Sequence, residues 1–303
     1  MNDKIPFPDR LTILHADTPV KTVGSDLPLS SPALSVRLTS LSRYSGFRVA
    51  AAIWSRSGRT DAECREDFFR TARSFRSQCD GAGIPSSYVL LTVEDLRLIG
   101  NDLAVLDGLK AFGVVSVIPF WRGENALGGG WDTDVGLSPF GREAIARCFA
   151  LGLIPDISHA SRRSSDEILS MGEAHGLPVI ASHVGFDYLF PHGRNLTDRD
   201  ARRIAALGGL VGVTFHAPHL NRSGVGIPDV VSHLSHGLSV CPDAISLGTD
   251  FDGTDELPDG LSSTDDLPAL ADALSSAGLT PTAVAAIFSR NADRFFGRIG
   301  LCI

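Results

Sequence analysis

The chain reads as an α/β protein, a single (β/α)8 TIM barrel spanning residues 1–303 with its active site at the carboxyl ends of the strands. Three observations predict this. Short apolar runs, each the length of a buried parallel strand, alternate with helix-like segments, and eight such runs lie between residues 11 and 248. No composition shift or linker divides them. Histidines and carboxylates recur where the runs end, on the rim where such barrels place their chemistry.

The first run, Leu11–Leu14, ends in His15-Ala16-Asp17; in a strand, residues two apart share a side, so these two can converge. Val20–Arg43 shows no clean period and is expected to be a loop over the barrel mouth. Phe47–Trp54 is the second strand, and Asp61–Asp80 an amphipathic helix closed by Gly81. Tyr88–Val93 delivers Glu94 at its end. Asn101–Phe112 is a helix, and Val114–Pro119 the fourth strand, followed by Phe120 and Trp121. The glycine run before Trp131 has neither dinucleotide nor Walker spacing and is no phosphate cradle. Ser138–Leu151 is a helix with a serine cap, Pro139 at its first position and Gly152 as terminator. Two matched runs follow, Leu153–Ile157 and Leu177–Ala181, each leading into Ser-His, at His159 and His183. The helix between them is expected to be capped by Ser164, Ser165 or Asp166. Leu196–Leu207 is a helix begun by Asn195 or Thr197; Leu210–Phe215 is strand seven, ending at His216; Ile227–Val240 is a helix. Ala244–Gly248 is strand eight, leading into Thr249-Asp250-Phe251-Asp252-Gly253. The tail, Thr280–Ile299, is a helix expected to pack on the outside of the barrel.

A net charge of −8 with 20% charged residues argues against nucleic-acid or anionic-membrane partners, which need clustered Lys and Arg. Arg162–Arg163 and Arg199–Arg203 read as solvated helix faces. The cysteines, Cys64, Cys79, Cys148, Cys241 and Cys302, show no ligand spacing and read as thiols in a reducing compartment. The opening MNDKIPFPDR has no apolar signal core, and no run approaches the ~18 apolar residues of a membrane span. The expected location is cytoplasmic.

His15, Asp17, Glu94, His159, His183 and Asp250 all fall at strand carboxyl ends. Three imidazoles and two carboxylates suit a pair of borderline metals, most naturally Zn²⁺, with one carboxylate as a bridge. Two such ions polarise a carbonyl and ionise a shared water; a further carboxylate, Asp250, can carry the proton to the leaving group.

The chain resembles the renal, or membrane, dipeptidase family, binuclear zinc peptidases of the metal-dependent hydrolase superfamily. The resemblance rests on H-x-D at His15 and Asp17, AAAIWS, GLSPFG, DISHAS, PVIASH, Arg194-Asn195, GTDFDG and RNADRFF. It implies one zinc held by His15, Asp17 and Glu94, and a second held by Glu94, His159 and His183. It makes Arg194 the holder of the substrate's free carboxylate and Asp250 the proton-transfer residue. The expected activity is hydrolysis of a dipeptide or small amino-acid conjugate, and the family likeness implies a homodimer. Two departures stand out. Trp121 replaces a histidine that polarises the scissile carbonyl, and an indole donates without carrying charge. His216 and His219 replace tyrosines, and either can supply the missing donor or simply fill the loop. The loss of the polariser keeps open a metal-dependent isomerase, tautomerase or lyase using the same rim, and points to a dedicated small-molecule substrate; a binding or scaffold protein is a weaker third reading. His192 is expected at the surface, and His233 and His236 outside the barrel with no metal.

Overall fold

The computed structural model describes residues 7–301; the opening MNDKIP and Cys302 lie outside the described residues. Eight parallel strands form one sheet: β1 (Arg10–Ala16), β2 (Gly46–Trp54), β3 (Val89–Glu94), β4 (Val114–Ile118), β5 (Ile154–Pro155), β6 (Ala181–Val184), β7 (Val211–Val213) and β8 (Ile245–Leu247). Their spatial order is β5-β4-β3-β2-β1-β8-β7-β6. The two outer strands meet through the parallel bridge Asp156↔Ile180, where the Ile180 amide donates to the Pro155 carbonyl (3.1 Å) and Ile157 donates to Ile180 (2.9 Å). The sheet is therefore curled into a TIM-like barrel. Strands buried on both faces account for runs such as GFRVAAAIW, whose residues are buried as far as Ile53.

The helices that return the chain begin on side-chain caps that the sequence carries openly. Thr60 and Glu63 form a capping box on α2 (Asp61–Gly81), Ser138 caps α4 (Pro139–Leu151) with Pro139 in its first turn, and Thr197 caps α6 (Asp198–Ala206). Between the first two of these lies α3 (Ala104–Ala111). The helix between the Ser-His pairs, α5 (Arg162–His175), is capped by Ser161 rather than by the serines after it, because Ser161 Oγ accepts the Ser164 amide (3.0 Å).

Four expectations are corrected. The stretch after Asp17 is not a plain loop: it opens with α1 (Thr18–Gly24), started by Pro19, and ends in a 3₁₀ turn over Leu38–Arg43. Strand six begins later than its apolar run. The Leu177 amide closes α5 on Gly172, and Pro178 has no N–H, so the ladder starts at Ile180 and carries His183 within it. Arg203 is no freely solvated face residue; its guanidinium pairs with Asp166, Glu173 and Asp200 and is only 13% exposed. The tail is a short helix over Pro281–Ala285, a π turn over Ala286–Arg290 and a further helix over Asn291–Arg298, and it does more than lie outside. Phe295 and Phe296 pack with Leu14, Leu90, Ile154, Ile180 and Leu210, closing the base of the barrel, with the Arg48 guanidinium 4.5 Å from the Phe296 ring.

Among the described residues no helix is long and apolar enough to cross a membrane. Cys64, Cys79, Cys148 and Cys241 are buried free thiols. Phe296→Ala is expected to lower stability by about 3–5 kcal/mol, since the base of the barrel cannot collapse onto the space left; urea unfolding checks this.

Candidate metal centre

The carboxyl ends of β1, β3, β5, β6 and β8 bring six polar side chains into one buried cluster. Alternation alone would put Leu14 and His15 on opposite faces of β1. The pairing of β1 with β2 shifts between Ile13 and Ala16, so Leu14 faces the interior while His15 and Asp17 reach the mouth. Glu94 ends β3 in register with Trp54 of β2. Its two oxygens point to different partners. Oε2 lies 3.5 Å from His15 Nε2, whereas Oε1 lies 3.0 Å from His159 Nε2 and 4.0 Å from His183 Nε2. His15 Nε2 is also 3.3 Å from Asp17 and 3.8 Å from Asp250.

The imidazoles are oriented from behind. His159 Nδ1 donates to the Trp121 carbonyl (2.9 Å) and His183 Nδ1 meets Ser182 Oγ (2.9 Å), which turns both Nε2 atoms, 2.9 Å apart, toward Glu94. Ser182 belongs to a buried network that rests on Asp156. One Asp156 oxygen accepts the Ser158 amide (3.0 Å), the Ser158 hydroxyl (2.6 Å) and the Ser182 amide (3.1 Å), and Ser158 Oγ accepts the His183 amide (3.1 Å). The sequence reading missed these residues. The signal was present in the repeated Ser-His, whose serines tie the two histidine-bearing strands together.

Asp250 and Asp252 both have left-handed backbones, φ 60° and 66°, a conformation that aspartate tolerates better than most residues. The turn they make brings Gly253 so close that a Cβ there would lie 2.2 Å from Asp17 Oδ2 and 2.9 Å from Asp250 Oδ1. Asp252 faces the other way. It accepts the Thr18 hydroxyl (2.7 Å) and the Ser35 and Val36 amides (2.7 and 3.2 Å), pinning the segment after β1 to the loop after β8.

Electrostatics divide the cluster. Burial works against a charged His15, but the carboxylates of Asp17 and Glu94 overcome it and raise its pKa well above the usual imidazole range. Burial, helped by the Arg194 charge, lowers His159 to about 4, and burial with the charge of His15 holds His183 well below its ordinary value. Burial pushes Asp17 up to about 6 and Asp250 up to about 8, with Glu94 adding to both. This donor set fits a metal. His15, Glu94 and His183, and also His15, Asp17 and Asp250, offer ligand atoms within 4.8 Å of one another. His15 Nε2 is buried without a hydrogen-bond partner, an arrangement that costs about 1–3 kcal/mol unless a ligand occupies it.

Above the cluster is a cavity of about 450 Å³, lined by Arg194, Trp121, His216 and His219 together with Asp17, Glu94, His159 and Asp250. Arg194 is 4% exposed. Its Nη2 lies 3.0 Å from His159 Nε2, and its Nη1 has no partner. His216 Nδ1 meets Thr254 Oγ1 (2.7 Å), and His219 Nδ1 is buried and unpartnered. His192 is not a plain surface residue. Its ring sits between Trp131 (5.4 Å) and His219 (4.8 Å), and its Nδ1 accepts the Arg194 amide. His233 bonds the Phe186 amide and the Leu220 carbonyl, and His236 pairs with Asp198; the two do not converge on a ligand.

The sequence profile of the family described as membrane dipeptidase (peptidase family M19) matches residues 79–301, which include Glu94, His159, His183, Arg194 and Asp250 and leave out β1. An uncharacterized dipeptidase of Schizosaccharomyces pombe is 33% identical over 193 residues, 60% of this chain and 45% of the yeast protein, so the chain spans less than half of that relative's length. Among solved structures, the dipeptidase AC, a metallopeptidase of family M19, matches with a TM-score of 0.85 at 22% identity, covering 98% of this chain and 99% of the other. A metallopeptidase from Rhodobacter sphaeroides, liganded with a phosphinate mimic of the dipeptide L-Ala-D-Ala, matches with a TM-score of 0.82 at 21% identity, covering 96% and 99%. These two likenesses bear on the fold.

Ser182→Ala, which removes the hydroxyl behind His183, is expected to weaken divalent-metal binding about 10- to 100-fold with the fold retained. Zinc titration against a competing chelator, with far-UV circular dichroism as the control, checks this.

Proposed function

Since the chain belongs to the membrane dipeptidase family, peptidase family M19, we propose that it is a zinc-dependent dipeptidase that hydrolyses the amide bond of a dipeptide or small amino-acid conjugate. One observation carries the reading: Glu94 divides its two oxygens between separate imidazole sets, His15 on one side and His159 with His183 on the other. In this proposal His15 and Asp17 would hold one zinc and His159 and His183 a second, with Glu94 able to serve both. The chemistry that zinc supplies in such a donor set is polarisation of a carbonyl oxygen and ionisation of water near neutral pH.

The chain's own side chains do the remaining work. Arg194, buried and with Nη1 unpartnered, forks onto the free carboxylate of the substrate and fixes its scissile bond over the cluster. Asp250 takes the proton of the attacking water and returns it to the leaving nitrogen. Burial, with Asp17 and Glu94 close by, pushes its carboxyl up to about 8 in the metal-free chain, against the pull of His15 and Arg194; its place at the edge of the cluster, beside His15 and facing the cavity, is where a proton must pass between water and leaving group. Trp121, His216 and His219 touch the substrate from the cavity wall. Burial holds the His219 ring neutral, so its ring N–H can donate to the carbonyl oxygen as that oxygen gains charge, the task for which Trp121 offers only an indole.

Zinc-loaded protein is expected to hold about two zinc ions per chain, the number a shared carboxylate between two donor sets implies, and to split members of a mixed L-L and L-D dipeptide panel. A fully loaded protein that yields no fragments, or a product of unchanged mass, would remove the hydrolase reading. Asp250→Asn is expected to lower kcat by about 10²–10⁴ at unchanged zinc content. Arg194→Ala is expected to raise KM about tenfold or more for substrates with a free carboxylate; steady-state kinetics on the same panel separates the two effects.

A further inference from the structure

The chain has three tryptophans, Trp54, Trp121 and Trp131, and all three line the single cavity above the cluster. They come from separate parts of the fold: the end of β2, the segment after β4 and the glycine-rich hairpin after it. Their placement is built in detail. Trp54 and Trp121 pack with ring centroids 4.9 Å apart. Trp121 gives its carbonyl to His159 Nδ1, while the Trp131 amide donates to the His159 carbonyl (2.9 Å), so the backbones of both tryptophans are tied to one histidine, one through its ring and one through its main chain.

The glycine run thereby acquires a purpose that its sequence did not disclose. Glu124–Asn125 pairs antiparallel with Gly128–Gly129, and Gly128 takes φ 140° with so little room that a Cβ would lie 2.3 Å from the Gly136 carbonyl oxygen. The hairpin turns the chain so that Trp131 lies against Gly193, where a Cβ would come within 2.9 Å of the indole. Gly193 directly precedes Arg194. The indole is thus seated beside the residue proposed to hold the substrate carboxylate. Trp54 adds an indole Nε1 that is buried and has no partner.

We propose that the three tryptophans form a side-chain subsite that selects substrates with an aromatic residue at the carboxyl-terminal position, the residue whose carboxylate Arg194 holds. The proposal rests on the dipeptidase reading for its substrate but not for its recognition chemistry. Flat rings gain from edge and face contacts with indoles as well as from leaving water, whereas a methyl side chain covers little of this wall.

The test uses zinc-loaded full-length protein and two readouts. The first is kcat/KM for Ala-Ala, Ala-Phe and Phe-Ala, with D-residues in parallel at the second position. The second is tryptophan fluorescence, excited beyond the tyrosine absorption band so that it reports this cavity, which all three tryptophans line, during titration with non-hydrolysable phosphinate mimics of Ala-Ala and Ala-Phe. Ala-Phe is expected to exceed Ala-Ala by about tenfold or more in both readouts. Trp131→Ala should reduce that preference to about threefold or less, and Trp131→Phe should restore most of it. Equal values for Ala-Ala and Ala-Phe, a preference confined to Phe-Ala, or a preference that survives both Trp131→Ala and Trp54→Ala would overturn the subsite. Tighter binding of the aromatic mimic with a change in indole emission, but no cleavage of any dipeptide, would leave the subsite standing and remove the hydrolase reading.

Discussion

Glu94 is buried at the end of β3 and its carboxyl is nevertheless held in the charged form, and the rest of the mouth is arranged around that charge. Burial opposes it; the nearby imidazoles of His15 and His159 outweigh burial and hold the carboxyl well below the usual range. Asp17 and Asp250 share the same low-dielectric pocket and are driven the other way, towards neutrality. Like charges at this spacing cannot all persist without positive partners. His15 and the buried Arg194 supply part of the balance, and the donor set leaves room for cations to supply more.

Holding such a cluster requires that none of its members be free to turn away. The imidazoles are fixed by what lies behind them, the Trp121 carbonyl for His159 and the Ser182 hydroxyl for His183. Asp156 in turn holds both serines and so locks β5 to β6 at the seam where the barrel closes. Asn195 does the same for the opposite wall. Its side chain accepts the Gly185 amide and donates to the Phe190 and His219 carbonyls, which fixes the loop carrying His219 relative to Arg194. Ligand position is thus a property of the strand ends and their turns rather than of single rotamers.

The strands were legible because a parallel barrel buries both faces of each, so they read as unbroken apolar runs such as FRVAAAIW and YVLLTV. The residues of the cluster were legible for a related reason: they follow those runs directly, and the parallel topology sends all the run ends to one rim. What escaped was set by contacts distant in sequence. The helix after Asp17 forms where Asp252, from the far end of the chain, anchors Thr18 and the Ser35 and Val36 amides. Phe295 and Phe296 looked like ordinary amphipathic-helix residues until the barrel provided an open base to fill. Trp131 was hidden behind glycines whose turn geometry no local pattern specifies, and His192 behind the ring neighbours that fold in around it.

The pairing of β1 with β8, at Ile13↔Leu247, joins the first strand made to the last. His15 and Asp17 leave the ribosome early, but Asp250 and the turn that presses Gly253 against Asp17 come some 230 residues later. Contacts of this separation form late because the intervening chain must be ordered first. During synthesis, therefore, the nascent chain carries Glu94, His159 and His183 without a closed rim, and an ion caught by them would face solvent and rival ligands. The topology makes β8 and the turn after it a precondition for a closed site, because the two ends of the cluster meet only once the strands between them are ordered.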